Sequence, residues 1–178
     1  SDPTATIDAK NVSCNIKGFY SFDITDLKTS ATHHFYLTVP GIHNVYDALA
    51  AIATAYAHGV DFKVMKKSLS EFSGADRRFE FKKKIESGAL VYDDYAHHPT
   101  EIKATLSAAK QKEHNRIIAI FQPHTYTRTK ELLGDFSNAF FDADIAIIVD
   151  IYAAREIDDG TISSKDLVNE LKKNKVNA

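Results

Sequence analysis

The chain has no tryptophan among its 178 residues, and cysteine and methionine occur once each. A single thiol, Cys14, excludes an internal disulfide and a thiolate zinc cluster, and its strand-like neighbours mark it as a passive core or edge residue. No stretch approaches the ~18 apolar residues needed to span a bilayer. The N-terminus also lacks the basic-then-apolar order of a secretory leader, so a cytoplasmic address without a membrane partner is expected. The formal net charge of -2 and pI near 6.4 give no general attraction to nucleic acid or anionic lipid, so any anion site must be local. No repeat or low-complexity tract occurs. The 44% hydrophobic and 26% charged residues are those of a globular protein long enough for one large or two small domains.

Residues 5 to 40 alternate polar and apolar in Ala5 to Val12, Phe19 to Ile24 and Phe35 to Val39, which predicts two or three antiparallel strands. Pro40-Gly41 ends that sheet. Asn44 is placed to cap a helix over Val45 to His58, with Gly59 as its terminator, and a second helix is expected from about Phe62 to Phe72. From Phe79 the pattern becomes strand and helix in turn. A hairpin (Phe79 to Ile85 with Ala89 to Tyr95, the latter opening as a buried strand) precedes a helix over Thr100 to Lys112. Then follow a strand over Arg116 to Phe121, a helix over Thr129 to Phe141, a strand over Ile145 to Ile151 and a helix over Ser164 to Lys173. Strands separated by such helices imply right-handed parallel crossovers, hence an α/β, three-layer, Rossmann-like domain with a mostly parallel sheet. A domain boundary is expected near residue 76, and both ends read as cut.

Chemistry concentrates at strand ends. Asp93-Asp94-Tyr95-Ala96-His97-His98-Pro99-Thr100-Glu101 packs carboxylates, imidazoles and a phenol into a strand-to-helix turn, the place where α/β proteins hold ligands. Gln122-Pro123-His124-Thr125-Tyr126-Thr127-Arg128-Thr129 and Asp150-Ile151-Tyr152 follow two further strands on the same rim. Arginine and imidazole suit a phosphate or carboxylate, and Asp94 at a strand end suits ribose hydroxyls. Against these stand plainer readings. His98 can brace its turn, Asp93 can be structural, Arg77 and Arg78 can be a solvated pair, Arg155 can pair with Glu156, and His33-His34 fits an exposed strand face. A zinc site from His97, His98 and His124 lacks an i, i+4 histidine pair or a cysteine partner. A nucleotide-dependent oxidoreductase lacks its Gly-x-Gly-x-x-Gly turn.

Taken together, Gly41-x-His43-Asn44, Arg77-Arg78-Phe79-Glu80, the Asp93 to Glu101 run, the Phe121 to Thr129 run and Asp150-Ile151-Tyr152-Ala153 resemble the Mur ligases of peptidoglycan synthesis, from about residue 5 onward. The resemblance implies a cytoplasmic, ATP- and Mg2+-dependent amide ligase built from a UDP-sugar domain, a central ATPase domain and a C-terminal domain for the amino acid. It is strongest to the member that joins L-alanine to UDP-N-acetylmuramate through an acyl phosphate. On this reading residues 1–76 are the tail of the ATP-binding domain and 77–178 most of the C-terminal one.

The resemblance implies roles position by position. His43, Asn44 and Asp47 fall in the adenine-contacting segment, Arg78 matches the arginine that reaches the ATP phosphates, and Asp94 matches the residue on ribose. His97, His124 and Arg128 fall in the amino-acid site; no residue is assigned as general base or metal ligand. Asp47 stands where the family commonly has asparagine, and Thr125 where many members have arginine, which leaves Arg128 as the carboxylate anchor. No Gly-x-x-Gly-Lys-Thr loop occurs in the chain, so the missing domains of the same polypeptide are expected as partners, the Mg2+ ligands are expected mainly there, and these residues alone are expected to be inactive. A ligase that recycles a whole tripeptide onto the same sugar, or a non-catalytic relative, are the alternatives. The loops at 93–101 and 122–129 are expected to be mobile without ligand.

Overall fold

The computed structural model describes residues 7–178 and resolves them into two compact units. One runs up to Asp93 and takes in Gln111–Glu113; the other comprises Asp94–Lys110 and His114–Ala178.

The first unit opens with an antiparallel meander, β1 (Lys10–Cys14), β2 (Phe19–Thr25) and β3 (Thr32–Pro40), in the order β1-β2-β3. The first strand begins later than the alternation predicts, and Ala5 and Thr6 of that expected strand lie outside the described residues. Alternation on β2 and β3 turns Phe22, Ile24, Phe35 and Leu37 inward, and Phe22 stacks on Phe35 with ring centroids 5.5 Å apart. Helices α1 (His43–Ala57) and α2 (Phe62–Glu71) complete this core with Val45, Ala48, Ile52 and Met65. Gly59 follows α1 at φ +74°, a left-handed conformation that favours glycine, and its amide bonds the Tyr56 carbonyl at 3.0 Å. Asn44 is not the cap of α1. That place falls to Ile42, and Asn44 lies inside the first turn, where its amide reaches back to the Pro40 carbonyl at 2.8 Å. His33 also departs from expectation, because it is half-buried against Phe62 with rings 3.9 Å apart, while His34 is exposed and bonds Asp23.

The hairpin is present as β4 (Glu80–Lys84) and β5 (Leu90–Asp93), antiparallel about a turn at Gly88. Leu90 is half-exposed, so this run is one side of a two-stranded ribbon rather than a buried strand.

In the second unit α3 (Pro99–Lys110) precedes β6 (Ile118–Phe121), two short helices α4 (Tyr126–Glu131) and α5 (Leu133–Ser137), β7 (Ile145–Ile148) and α6 (Ser164–Lys173). The parallel pairing is that of β6 with β7, in register from Ile118 with Ile145 to Phe121 with Ile148. The single helix expected over Thr129 to Phe141 starts earlier and breaks at Leu132, whose φ of -104° and ψ of 16° leave helical geometry. That break lets Phe136 and Phe140, both buried, meet Phe121 at 5.5 Å each. Leu167 and Leu171 of α6, with Ile102 and Leu106 of α3, close the core. A reciprocal capping box fixes the start of α6, where Asp166 accepts from the Ser163 amide at 2.8 Å. At the other end the Asn177 carbonyl accepts from the Ala146 amide at 2.8 Å, so the last residues lie beside β7. Among the described residues no helix is long and apolar enough to cross a membrane.

Candidate functional site

Within the second unit the loops after β6 and β7 are tied together. His124 and Tyr152 form a parallel bridge, with the Tyr152 amide on the Pro123 carbonyl and the Thr125 amide on the Tyr152 carbonyl, both at 2.9 Å. The bridge extends the β6–β7 pairing past the strand ends and sets His124, half-buried, against the Tyr152 ring at 5.4 Å. Four residues on, one helical turn along, Arg128 brings Nη1 to 3.4 Å from His124 Nδ1. A guanidinium can only donate, so Nδ1 accepts and the neutral His124 ring carries its hydrogen on Nε2.

His97 comes to the same place from the turn before α3, its ring centroid 6.3 Å from that of His124. Its Nδ1 lies 2.8 Å from the Tyr95 carbonyl, an acceptor only, so Nδ1 carries a hydrogen, and in the neutral ring Nε2 is left as the acceptor. In their neutral forms the two rings are thus opposite tautomers. His98 braces the turn as its plainer reading held, accepting the Thr100 amide on Nδ1 at 3.3 Å. His97 and His98 each engage Nδ1 with backbone, and among the described residues no group of three or more His, Cys, Asp or Glu is placed to hold a metal.

Asp94 is half-buried and fixed from both sides: Oδ1 accepts the Ala96 amide at 2.7 Å and Oδ2 the Thr105 hydroxyl at 3.0 Å. Thr105 is a residue that sequence reasoning missed, since one threonine on a helix face gives no signal of its own. Glu101 closes the 93–101 motif, and the sequence alone gives it no role. Its Oε2 accepts the amides of His97 at 2.9 Å and His98 at 3.1 Å, and the Pro-x-Glu spacing at the helix start was the available sign. Glu156 accepts the Thr127 amide at 2.9 Å rather than serving only as a partner for Arg155, and that bond holds its carboxyl below the usual range.

The remaining sequence-derived residues lie in the first unit. His43, Asn44 and Asp47 occupy the first turns of α1; Asn44 also donates to His43 Nε2 at 3.1 Å, while Asp47 is exposed. Arg78 sits in an exposed turn between two non-glycine residues of positive φ, Arg77 at 57° and Phe79 at 46°. The turn is pinned at both ends. Phe79 stacks on Tyr92 at 4.6 Å, the Arg77 amide donates to Glu80, and Arg77 Nε lies 3.5 Å from Asp93, which supports the structural reading of Asp93. Lys82 at 2.7 Å, and then the Arg77 amide, hold the Glu80 carboxyl below its ordinary value.

Residues 77–178 match the family model described as Mur ligase, glutamate ligase domain. The chain belongs to the Mur ligase family. Among curated Mur ligases it is 55% identical over 161 residues to the UDP-N-acetylmuramate--L-alanine ligase of Caldanaerobacter subterraneus subsp. tengcongensis, covering 90% of this chain and 35% of that protein. The ligase of the same description from Clostridium acetobutylicum is 49% identical over 96% of this chain and 37% of its own length. This Mur ligase chain therefore spans about a third of the length of the curated relatives it matches. Of solved structures, the UDP-N-acetylmuramate-alanine ligase of Thermotoga maritima superposes with a TM-score of 0.78 at 30% identity, over 99% of this chain and 37% of that one. A murein peptide ligase from Psychrobacter arcticus gives 0.58 at 33% identity, over 83% and 31%. The mixed α/β fold and the parallel β6–β7 pairing are those of this family.

Proposed function

We propose that these residues are part of an ATP-dependent ligase that joins L-alanine to the muramoyl carboxylate of UDP-N-acetylmuramate, in the cytoplasm, during peptidoglycan precursor synthesis. The observation that carries the reading is the convergence of His97, His124 and Arg128 in one unit, in a chain about half identical to alanine-adding relatives. An α-amino acid presents an amine that donates and a carboxylate that accepts. With both rings neutral the cluster offers the matching groups: a bare Nε2 on His97, an Nε2–H on His124, and the Arg128 guanidinium.

The chain's own residues also fit a nucleotide. Asp94, held by Ala96 and Thr105, is an oriented acceptor for ribose hydroxyls, since a carboxylate accepts about four hydrogen bonds. Asn44, with its NH2 group turned to Pro40 and His43, keeps its oxygen as the acceptor an adenine amine requires, with His43 and Asp47 beside it. Arg78 supplies positive charge for phosphates from a fixed turn. ATP with Mg2+ would supply a phosphoryl group to the muramoyl carboxylate, leaving ADP; the alanine amine would then attack the activated carbonyl carbon, the C–N bond forming and a proton leaving as the C–O bond to phosphate breaks. Residues 1–76 are proposed as the end of the ATP-binding domain and 77–178 as the amino-acid domain, in keeping with a family match that begins at 77. The Mg2+ ligands are proposed to lie mainly in other parts of the full-length ligase.

The test is phosphate release by the full-length ligase with ATP, Mg2+ and UDP-N-acetylmuramate. L-Alanine is compared with the tripeptide L-Ala-γ-D-Glu-diaminopimelate. Release that depends on L-alanine is expected, and release only with tripeptide, or with neither, overturns the reading. Arg128→Ala should raise KM for L-alanine by about 10- to 100-fold, the worth of a charge-assisted contact, while KM for ATP stays put.

A further inference from the structure

We propose that Glu101 is a positioning residue that locks the tautomer of His97, and so makes His97 an acceptor for the amine at the amino-acid site. The functional half of this inference rests on the alanine-ligase reading; the tautomer itself does not.

Three contacts of Glu101 point the same way. One carboxylate oxygen, Oε2, takes the backbone amides of His97 and His98 at 2.9 and 3.1 Å, which fixes the direction in which the His97 side chain leaves the turn. The same oxygen lies 3.5 Å from His97 Nδ1. That nitrogen is therefore faced by two acceptors, the Tyr95 carbonyl at 2.8 Å and the carboxylate, and by no donor among its contacts in the described residues. Moving the hydrogen to Nε2 would set a lone pair against both, a repulsion strengthened by the formal charge of the carboxylate.

Across the site Arg128 imposes the opposite arrangement on His124. A ligand with a donor at one end and an acceptor at the other is matched in one orientation only, and the orientation depends on Glu101 holding His97. A role in capping alone would stop at the two amides. Both Glu and Gln accept from amides, but only Glu brings negative charge to Nδ1, so Glu101→Gln separates the two roles.

The experiment is two-dimensional 15N–1H correlation of the imidazole rings in this chain, at a pH where His97 is neutral. Wild type, Glu101→Gln and Glu101→Ala are compared, with amide exchange along α3 to confirm that the helix persists. Wild type should show a pyrrole-type Nδ1 and a pyridine-type Nε2 for His97, and both variants should move toward the reverse pattern, Ala further than Gln. A wild-type His97 already protonated on Nε2, or one unmoved in both variants, overturns the assignment. In the full-length ligase Glu101→Gln should raise KM for L-alanine about three- to tenfold, the net worth of one hydrogen bond, with KM for ATP unchanged. Should the spectra hold while the full-length ligase ignores L-alanine, the tautomer lock stands and the substrate reading falls.

Discussion

Replacing Thr125 by glycine and, separately, by alanine tests whether the loop between β6 and α4 is held under strain. Thr125 has φ of 70° and ψ of 146°, a combination essentially confined to glycine and worth about 1–3 kcal/mol of strain in a β-branched residue. Its backbone is overdetermined. The amide is bound to the Tyr152 carbonyl, and the carbonyl accepts both the Thr129 amide at 3.2 Å and the Thr129 hydroxyl at 2.7 Å. The side chain adds a long cap to the Arg128 amide at 3.4 Å. Both variants lose that cap, a cost of about 1 kcal/mol or less. Only glycine releases the strain, and against this stands its greater freedom in the unfolded chain, about 0.5–1 kcal/mol relative to alanine. Thr125→Gly should therefore be more stable than Thr125→Ala by about 0.5–2 kcal/mol, the reverse of the usual order. Amide exchange in β6 and α4 under increasing urea reads the difference at the site itself. If Thr125→Gly is the less stable of the two, the strain is absent and the reasoning fails.

Phe136, on α5, is fully buried against Phe121, so Phe136→Ala should cost about 3–5 kcal/mol, seen as lost amide protection in β6 and α6 with β2 and β3 unaffected. Gly134 lies in α5 with open space for 4 Å around the place a methyl group would take, so Gly134→Ala should gain about 0.5–1 kcal/mol in a urea titration followed at α5. Asp26 is nearly buried and bonded to the Thr29 hydroxyl, the Lys28 amide and the Tyr56 hydroxyl, which together hold its carboxyl below the usual range. A depressed folded value means stability present above the unfolded value of about 4 and lost as pH falls through the folded one. Asp26→Asn should flatten the acid limb of a pH-stability curve for the β2–β3 sheet, and an unchanged limb would show that Asp26 is not coupled to folding.

Much of the fold was legible in the residues because the signals were local. The 3.6-residue spacing placed α6 at Ser164–Lys173, and Gly88 between two short runs gave the β4–β5 hairpin. What escaped depends on contacts distant in sequence. Leu132 breaks a pattern that reads as one helix so that Phe136 and Phe140 can reach Phe121, and nothing in residues 129–141 alone announces that partner. Likewise the resemblance placed His97, His124 and Arg128 in one site, yet the contacts that bear on their ring hydrogens, a carbonyl at Tyr95 and a guanidinium one turn from His124, are visible only in the fold. Asn44 misled as a cap because its residue type suits either role, and the geometry of Pro40 decided between them.

The two hydrophobic cores, one built on Phe22, Phe35 and Met65 and the other on Phe121, Phe136 and Leu167, have no residue in common. In a library of random substitutions, harm should therefore map as two islands, each with its own threshold. Drift that loosens the packing behind His97 and His124 leaves the packing behind Asn44 at full strength. An inherited lineage can thus retune one core while purifying selection keeps the other still, and second-site suppressors should arise on the same island as the lesion they repair.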